Sequence, residues 1–195
     1  MASRIVVLIS GAGSNMLALV RACRAGEVPA EVVAVVADRP CDGLELARAE
    51  GIDTAVLDPR GYPSREHWST ALLDLVRTFS PDLVVSAGFM RILSPVFVHA
   101  YSGRLINLHP SLLPAYPGAH AVRDALEDGA SVTGSTVHFV DDEVDHGPVI
   151  LQREVSIEPG DDADTLHERI KGVEHGMLAE ACRMVLDGRA ALEGP

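Results

Sequence analysis

A chain of 195 residues, 47% of them hydrophobic, is long enough for one domain with a real core, and folding at this size buries roughly 70% of the surface that the unfolded chain exposes. The net charge of −12 sets up a field that repels nucleic acid and anionic membranes, while a small phosphorylated ligand, which answers to local dipoles and cations, is not excluded. Cys23, Cys41 and Cys182 are odd in number and lack metal spacing, and "MASRIVVLISGAGSN" is too short an apolar run for a transmembrane span and has no signal-peptide layout, so the expected location is the cytoplasm.

The first run, "IVVLIS" (5–10), is continuous and β-branched, as expected of a strand covered on both faces. It leads straight into "SGAGSNM" (10–16) and the helical pattern "SNMLALVRACRAG" (14–26), which stops at a glycine suited to a C-cap. Gly11 and Gly13 let the backbone approach a ligand closely, and the free N–H groups at the helix start favour an anion such as phosphate. Three readings stay open here: a phosphate or phosphoribosyl cradle, a dinucleotide loop, and a plain strand-to-helix turn. Met16 stands where a dinucleotide loop wants a small residue, and no Walker A lysine follows. "VVAVVAD" (32–38) predicts the second strand, and Asp38 at its end could act as the ribose-binding acid of a dinucleotide site. A helix over "DGLELARAEG" (42–51), a strand over "TAVLD" (54–58), a helix over "SREHWSTALLDLVRTFS" (64–80) and a strand over "DLVVSAG" (82–88) follow. Such alternation implies parallel pairing with right-handed crossovers, and ligands then sit at the carboxyl ends of the strands.

"RLINLH" (104–109) predicts the next strand, and it ends in two polar residues at i and i+2. Asn107 and His109 therefore project the same way, with Leu108 turned into the core. Pro110, Pro114 and Pro117 stiffen what comes after, and either of the last two could hold a cis bond. An asparagine donates without changing charge and a histidine carries a proton near neutral pH, so the pair suits a carbonyl oxygen that turns negative in a tetrahedral intermediate. Service as loop and strand-end caps is the competing reading. "STVHFV" (135–140) leads into the acidic loop "DDEVDHG" (141–147), followed by a second strand that suggests an antiparallel edge. That loop has no EF-hand pattern, and no metal is expected in it. Asp145, ahead of the turn set by Gly147 and Pro148, is the candidate carboxylate to orient His109. No G-x-S-x-G elbow suggests a serine hydrolase. The tail "DDADTLHERIKGVEHGMLAEACRMVLDG" (161–188) is one long helical pattern, eased at Gly172 or Gly176. The expected fold is a single α/β domain over 1–195, a Rossmann-like open sheet, mostly parallel with an antiparallel edge and helices on both faces.

Five stretches, "ISGAGSN", "SAGFMRILSPVFV", "NLHPSLLPAYPG", "STVHFVDDEVDHGPVILQ" and the "EH" at 174–175, resemble the folate-dependent formyltransferases, in particular the branch that acts on glycinamide ribonucleotide in purine biosynthesis. The resemblance runs in order from residue 5 to about residue 188. It implies transfer of a formyl group from 10-formyltetrahydrofolate, a co-substrate, to the amine of 5-phosphoribosylglycinamide. Asn107 and a protonated His109 would stabilise the oxyanion while Asp145 keeps His109 charged and assists proton transfer. It further implies that Gly13, Ser14, Asn15, Lys171 and Glu174 meet the ribonucleotide. The folate would be held by Arg65, by Met90, Arg91, Ile92 and Leu93, by Asn107, and by the loop Val140, Asp141, Asp142, Glu143, Val144 and Asp145. On this view residues of about 1–100 bind phosphate and those of about 100–190 carry folate and catalysis. The implied partners are small molecules, with no nucleic acid and no membrane, and the chain would be a monomer or homodimer. His146 is a departure, standing where many relatives carry a second glycine. The rivals are a formyltetrahydrofolate hydrolase, a methionyl-tRNA or nucleotide-sugar formyltransferase, and a non-catalytic folate- or nucleotide-binding module.

Overall fold

Four consecutive apolar residues, Ile5 to Leu8, are fully buried, the condition for a strand covered on both faces. They form β1 (Ser3–Ile9) in the computed structural model, which describes residues 2–192. β2 (Ala30–Ala37) pairs with one side of β1 and β3 (Asp53–Val56) lies beyond it; β4 (Leu83–Ala87) pairs with the other side and β5 (Leu105–His109) lies beyond that, all in parallel. β6 (Val132–Phe139) and β7 (Val149–Ser156) then add antiparallel, giving one sheet of order β3-β2-β1-β4-β5-β6-β7. The expected mostly parallel sheet is what the chain forms, with an antiparallel edge two strands wide.

Helices α1 (Ser14–Arg24), α2 (Asp42–Ala49), α3 (Arg65–Thr78), α4 (Pro95–Ala100), α5 (Ala121–Glu127) and α6 (Ala163–Leu186) pack on this sheet. Alternation along β1 decides which goes where. Ile5, Val7 and Ile9 share a core with Met16 and Leu19 of α1, Leu44 of α2 and Met177 and Leu178 of α6. Val6 and Leu8 share the opposite core with Trp68, Leu72 and Val76 of α3 and Phe97 of α4. α4 and α5 are too short, at 6 and 7 residues, for a helical period to register in the sequence. α6 runs unbroken through Gly172 and Gly176, because the stripe Leu166, Ile170, Met177, Leu178, Ala181 and Cys182 is buried along its length. That burial offsets a glycine cost of about 1 kcal/mol each. The chain leaves β1 toward β2 on one side and returns to β4 on the other, so the carboxyl ends of β1 and β4 open a crevice. The loops that follow β1, β4 and β5 carry most of the candidate site residues to that edge.

Candidate active site

The glycine loop leaves β1 at Ser10, whose N–H donates to the Gly88 carbonyl at 3.0 Å. Gly13 starts α1 in the left-handed region, at φ 77°, and among the described residues no side chain caps the helix and no acid sits in its first turn. Its leading N–H groups therefore face the crevice uncompensated, which is the arrangement that attracts an anion. The loop closes against α2: the Gly43 N–H donates to the Gly11 carbonyl at 3.1 Å, and a Cβ on Gly13 would lie 2.7 Å from the Gly43 Cα. A Cβ on Gly43 would in turn meet Ile9 Cδ1 at 2.6 Å and the Gly11 carbonyl at 2.8 Å. Gly43→Ala is expected to destabilise the fold by about 1–3 kcal/mol, as overpacking against backbone does, and urea denaturation of both proteins measures it.

Asn15, in the first turn of α1, donates from Nδ2 to Glu174 Oε2 at 2.7 Å. Glu174 is only 3% exposed on α6, and Ser135 Oγ bridges its Oε1 (3.1 Å) and the His109 carbonyl (2.9 Å). A continuous polar chain thus joins the glycine loop to the end of β5. Asn15 Oδ1 is buried with no hydrogen-bond partner among the described residues. Lys171, one turn before Glu174, pairs with Glu168 at 2.6 Å.

At the end of β5, Asn107 and His109 do project to the same side. Antiparallel pairing sets His138 opposite Asn107 and Thr136 opposite His109. Asp145 reaches this cluster from the acidic loop: its Oδ2 lies 3.4 Å from His109 Nδ1, and its Oδ1 lies 3.3 Å from Asn107 Nδ2 and 3.6 Å from His138 Nε2. The Gly118 N–H donates to Oδ2 at 2.8 Å, which ties the proline loop to the carboxylate. His109 Nε2 donates to the Tyr116 carbonyl at 2.9 Å. Burial pushes the Asp145 carboxyl up, but hydrogen bonds from His138 and the Gly118 N–H, with the charges of His109 and His138, hold it below the usual carboxylate range. Of the candidate prolines, the Leu113–Pro114 peptide is cis.

His138 is the residue that sequence reasoning missed. Its Nδ1 donates to the Phe139 carbonyl at 2.7 Å, which leaves Nε2 toward Asn107 Nδ2 at 3.2 Å. An inward histidine in "STVHFV" was visible, but only the β5–β6 register sets it across from Asn107. Gly147 is required for the same corner, since a Cβ there would lie 1.9 Å from the Phe139 carbonyl.

The segment Met90–Leu93 and the loop 140–145 flank the cluster. Met90 (59%) and Ile92 (55%) are exposed although apolar, and Val144 is exposed as well. Phe89, before them, is buried and stacked on Trp68 at 6.1 Å, and Leu93, after them, packs on the same core. Val140 is tied by its N–H to the Leu105 carbonyl at 3.0 Å, while Asp142 pairs with His99 at 2.9 Å and Asp141 accepts from the Glu143 N–H. His146 is exposed; it pairs with Asp141 at 3.0 Å, and that carboxylate, with Glu143, raises its pKa. Arg65 starts α3, where among the described residues its guanidinium pairs with Glu66 (3.5 Å) and with none of these groups. Asp38 cannot serve as a ribose-binding acid: its side chain has no exposure and is bound to Arg39 and Arg91. Among the described residues no helix is long and apolar enough to cross a membrane, and no group of three His, Cys, Asp or Glu residues is placed to hold a metal ion.

The class is that of an open α/β sheet with a glycine loop after β1 and an Asn–His–Asp cluster at the end of β5, one strand further on than β4, the arrangement of an α/β protein that takes a small molecule at its strand ends. The family described as formyl transferase matches residues 3–182, and the chain belongs to it. It is similar to the phosphoribosylglycinamide formyltransferase of Escherichia coli (strain K12), 47% identical over 186 residues that cover 95% of this chain and 88% of that one. The enzyme of the same name from Mycobacterium tuberculosis is 48% identical over 179 residues, covering 92% and 83%. Among solved structures, glycinamide ribonucleotide transformylase 1 from Symbiobacterium toebii superposes with a TM-score of 0.96 at 45% identity, covering 98% of this chain and 91% of that one.

Proposed function

We propose that the chain transfers the formyl group of 10-formyltetrahydrofolate to the amine of 5-phosphoribosylglycinamide in purine biosynthesis. The observation that carries this reading is the convergence of Asn107, His109 and Asp145 at one strand end, linked through Ser135, Glu174 and Asn15 to the anion-ready loop. The phosphate would lie on the N–H groups of Gly13, Ser14 and Asn15, with Lys171 supplying positive charge. Glu174 and the free Asn15 Oδ1 accept hydrogen bonds from the ribonucleotide's hydroxyl and amine groups. The folate lies against the exposed apolar side chains of Met90, Ile92 and Val144, with backbone groups of 90–93 and 140–145 reading its ring and Arg65 near its outer end.

The amine nitrogen attacks the formyl carbon, a C–N bond forms, and the carbonyl oxygen becomes an oxyanion. Asn107 Nδ2 and His109 Nε2 donate to it. To do so the His109 N–H leaves the Tyr116 carbonyl, exchanging a neutral acceptor for an anionic one that forms roughly twice as strong a bond. Asp145 holds the ring protonated and passes the amine proton, through water, to the folate nitrogen as its bond to the formyl carbon breaks. The test is to mix the protein with 10-formyltetrahydrofolate and follow loss of the formyl group with and without the ribonucleotide. Deformylation that depends on the ribonucleotide is expected. Loss of formyl without it would mean transfer to water, and no loss in either case would overturn the reading.

A further inference from the structure

Residues 88–94 leave β4 with no ladder partner, so their backbone must be held by other bonds. The two ends are fixed by packing and by Ser69: Phe89 is stacked on Trp68, and the Ser94 N–H donates to Ser69 Oγ at 3.1 Å. The exposed middle is held differently. The Met90 N–H donates to Ser10 Oγ at 2.8 Å, and Arg91 Nε donates to Asp38 Oδ2 at 2.6 Å, with the Ser10 side chain near enough to Asp38 to help lower its pKa. Two consecutive residues of the segment, Met90 and Arg91, are thus held from beneath, one by Ser10 and the other by Asp38. Arg39 completes the carboxylate's partners, with Nε at 3.3 Å and Nη2 at 3.1 Å.

Asp38 is buried, and a buried carboxylate this heavily bonded is justified only by what it holds in place. Burial pushes its carboxyl up, but the bonds from Arg39, Ser10 and Arg91 outweigh that and keep it ionised at neutral pH. None of its hydrogen bonds reaches Asn107, His109 or Asp145. We infer that Asp38 is a positioning residue that fixes the Met90–Leu93 wall from beneath and so sets affinity for the folate, leaving the chemical step and the ribonucleotide side untouched. The inference rests on the formyl-transfer reading above.

Asp38→Asn keeps the shape and removes the charge that Arg39 and Arg91 converge on. Two measurements are made on it and on the wild type. The first is steady-state kinetics, varying each substrate. The second is an anaerobic titration with tetrahydrofolate, read by quenching of Trp68, the one tryptophan in the chain, which stacks on Phe89 at the root of the segment. The KM for 10-formyltetrahydrofolate and the Kd for tetrahydrofolate are expected to rise about tenfold, the effect of weakening one charge-assisted bond. The ribonucleotide KM and kcat should stay within about twofold of wild type, since a merely structural lesion would move all four together. An unchanged folate KM and Kd in a normally folded variant would overturn the inference, as would parallel changes in both KM values and kcat. If Asp38→Asn fails to fold, Asp38→Glu, which keeps the charge but displaces the carboxylate from Arg91, is read in the same way. A wild-type protein that binds tetrahydrofolate but transfers nothing to the ribonucleotide would sink the acceptor assignment alone, and the tetrahydrofolate titration would still decide for or against Asp38.

Discussion

His109→Ala is expected to lower ribonucleotide-dependent deformylation by ~10²–10³-fold, the usual cost of deleting one oxyanion donor. The loss should appear in kcat and kcat/KM alike, because the bond to the oxyanion exists only in the transition state. Substrate binding should change little. The fold should survive, because Leu108, Ile106 and Val137 pack into the core on the other face of the sheet. Ser135 also holds the His109 carbonyl whatever side chain stands there. Steady-state kinetics with circular dichroism and urea denaturation as controls measures this. Near-normal turnover in a folded variant would remove His109 from the mechanism and with it the oxyanion argument.

Asp145→Asn is the second large effect, an expected fall of ~10²–10⁴-fold in kcat, the range for losing a positioned group in proton transfer. Asparagine is the informative replacement. Asp145 sits at φ 53°, a backbone region that asparagine tolerates and most other residues resist. The variant therefore removes charge and basicity while leaving the turn. The pH dependence follows from the depressed carboxyl. A carboxylate whose folded pKa lies below its unfolded value of about 3.9 stabilises the native state above that pH, and the contribution is lost as pH falls through the folded value. The stability gap between wild type and Asp145→Asn, read by urea denaturation across pH, should be full at neutrality and close in the acid range below about 4. A gap that persisted unchanged to the lowest pH would mean that the ionised carboxylate is not what His109, His138 and the Gly118 N–H stabilise.

Much of this was legible in the residues because it depended on local periods. The continuous β-branched runs 5–10 and 32–38 read as strands buried on both faces, since nothing polar interrupts them, and that alone implies parallel pairing. Asn107 and His109 share a face because a strand has a period of two. The glycine loop could be read as a phosphate cradle, a dinucleotide loop or a plain turn, because helix starts have free N–H groups whatever the sequence context.

What stayed hidden depended on register and on contacts between distant segments. His138 looked like any strand residue until β5 and β6 paired in one particular register. Nothing in the run 42–51 sets Gly43 apart, and its need for a bare Cα comes from the glycine loop packed against it. Asp38 read as a candidate ribose acid because its position after β2 is where such acids stand. Only the approach of residues 90 and 91 from the far side of β1 showed that its carboxylate is already spoken for. Alternation, strand burial and helix starts are properties of a few neighbouring residues, so the sequence alone determined the sheet and the Asn–His pair. Which groups meet across 30 to 160 residues of chain is decided by how seven strands align at once, and no local pattern encodes that alignment.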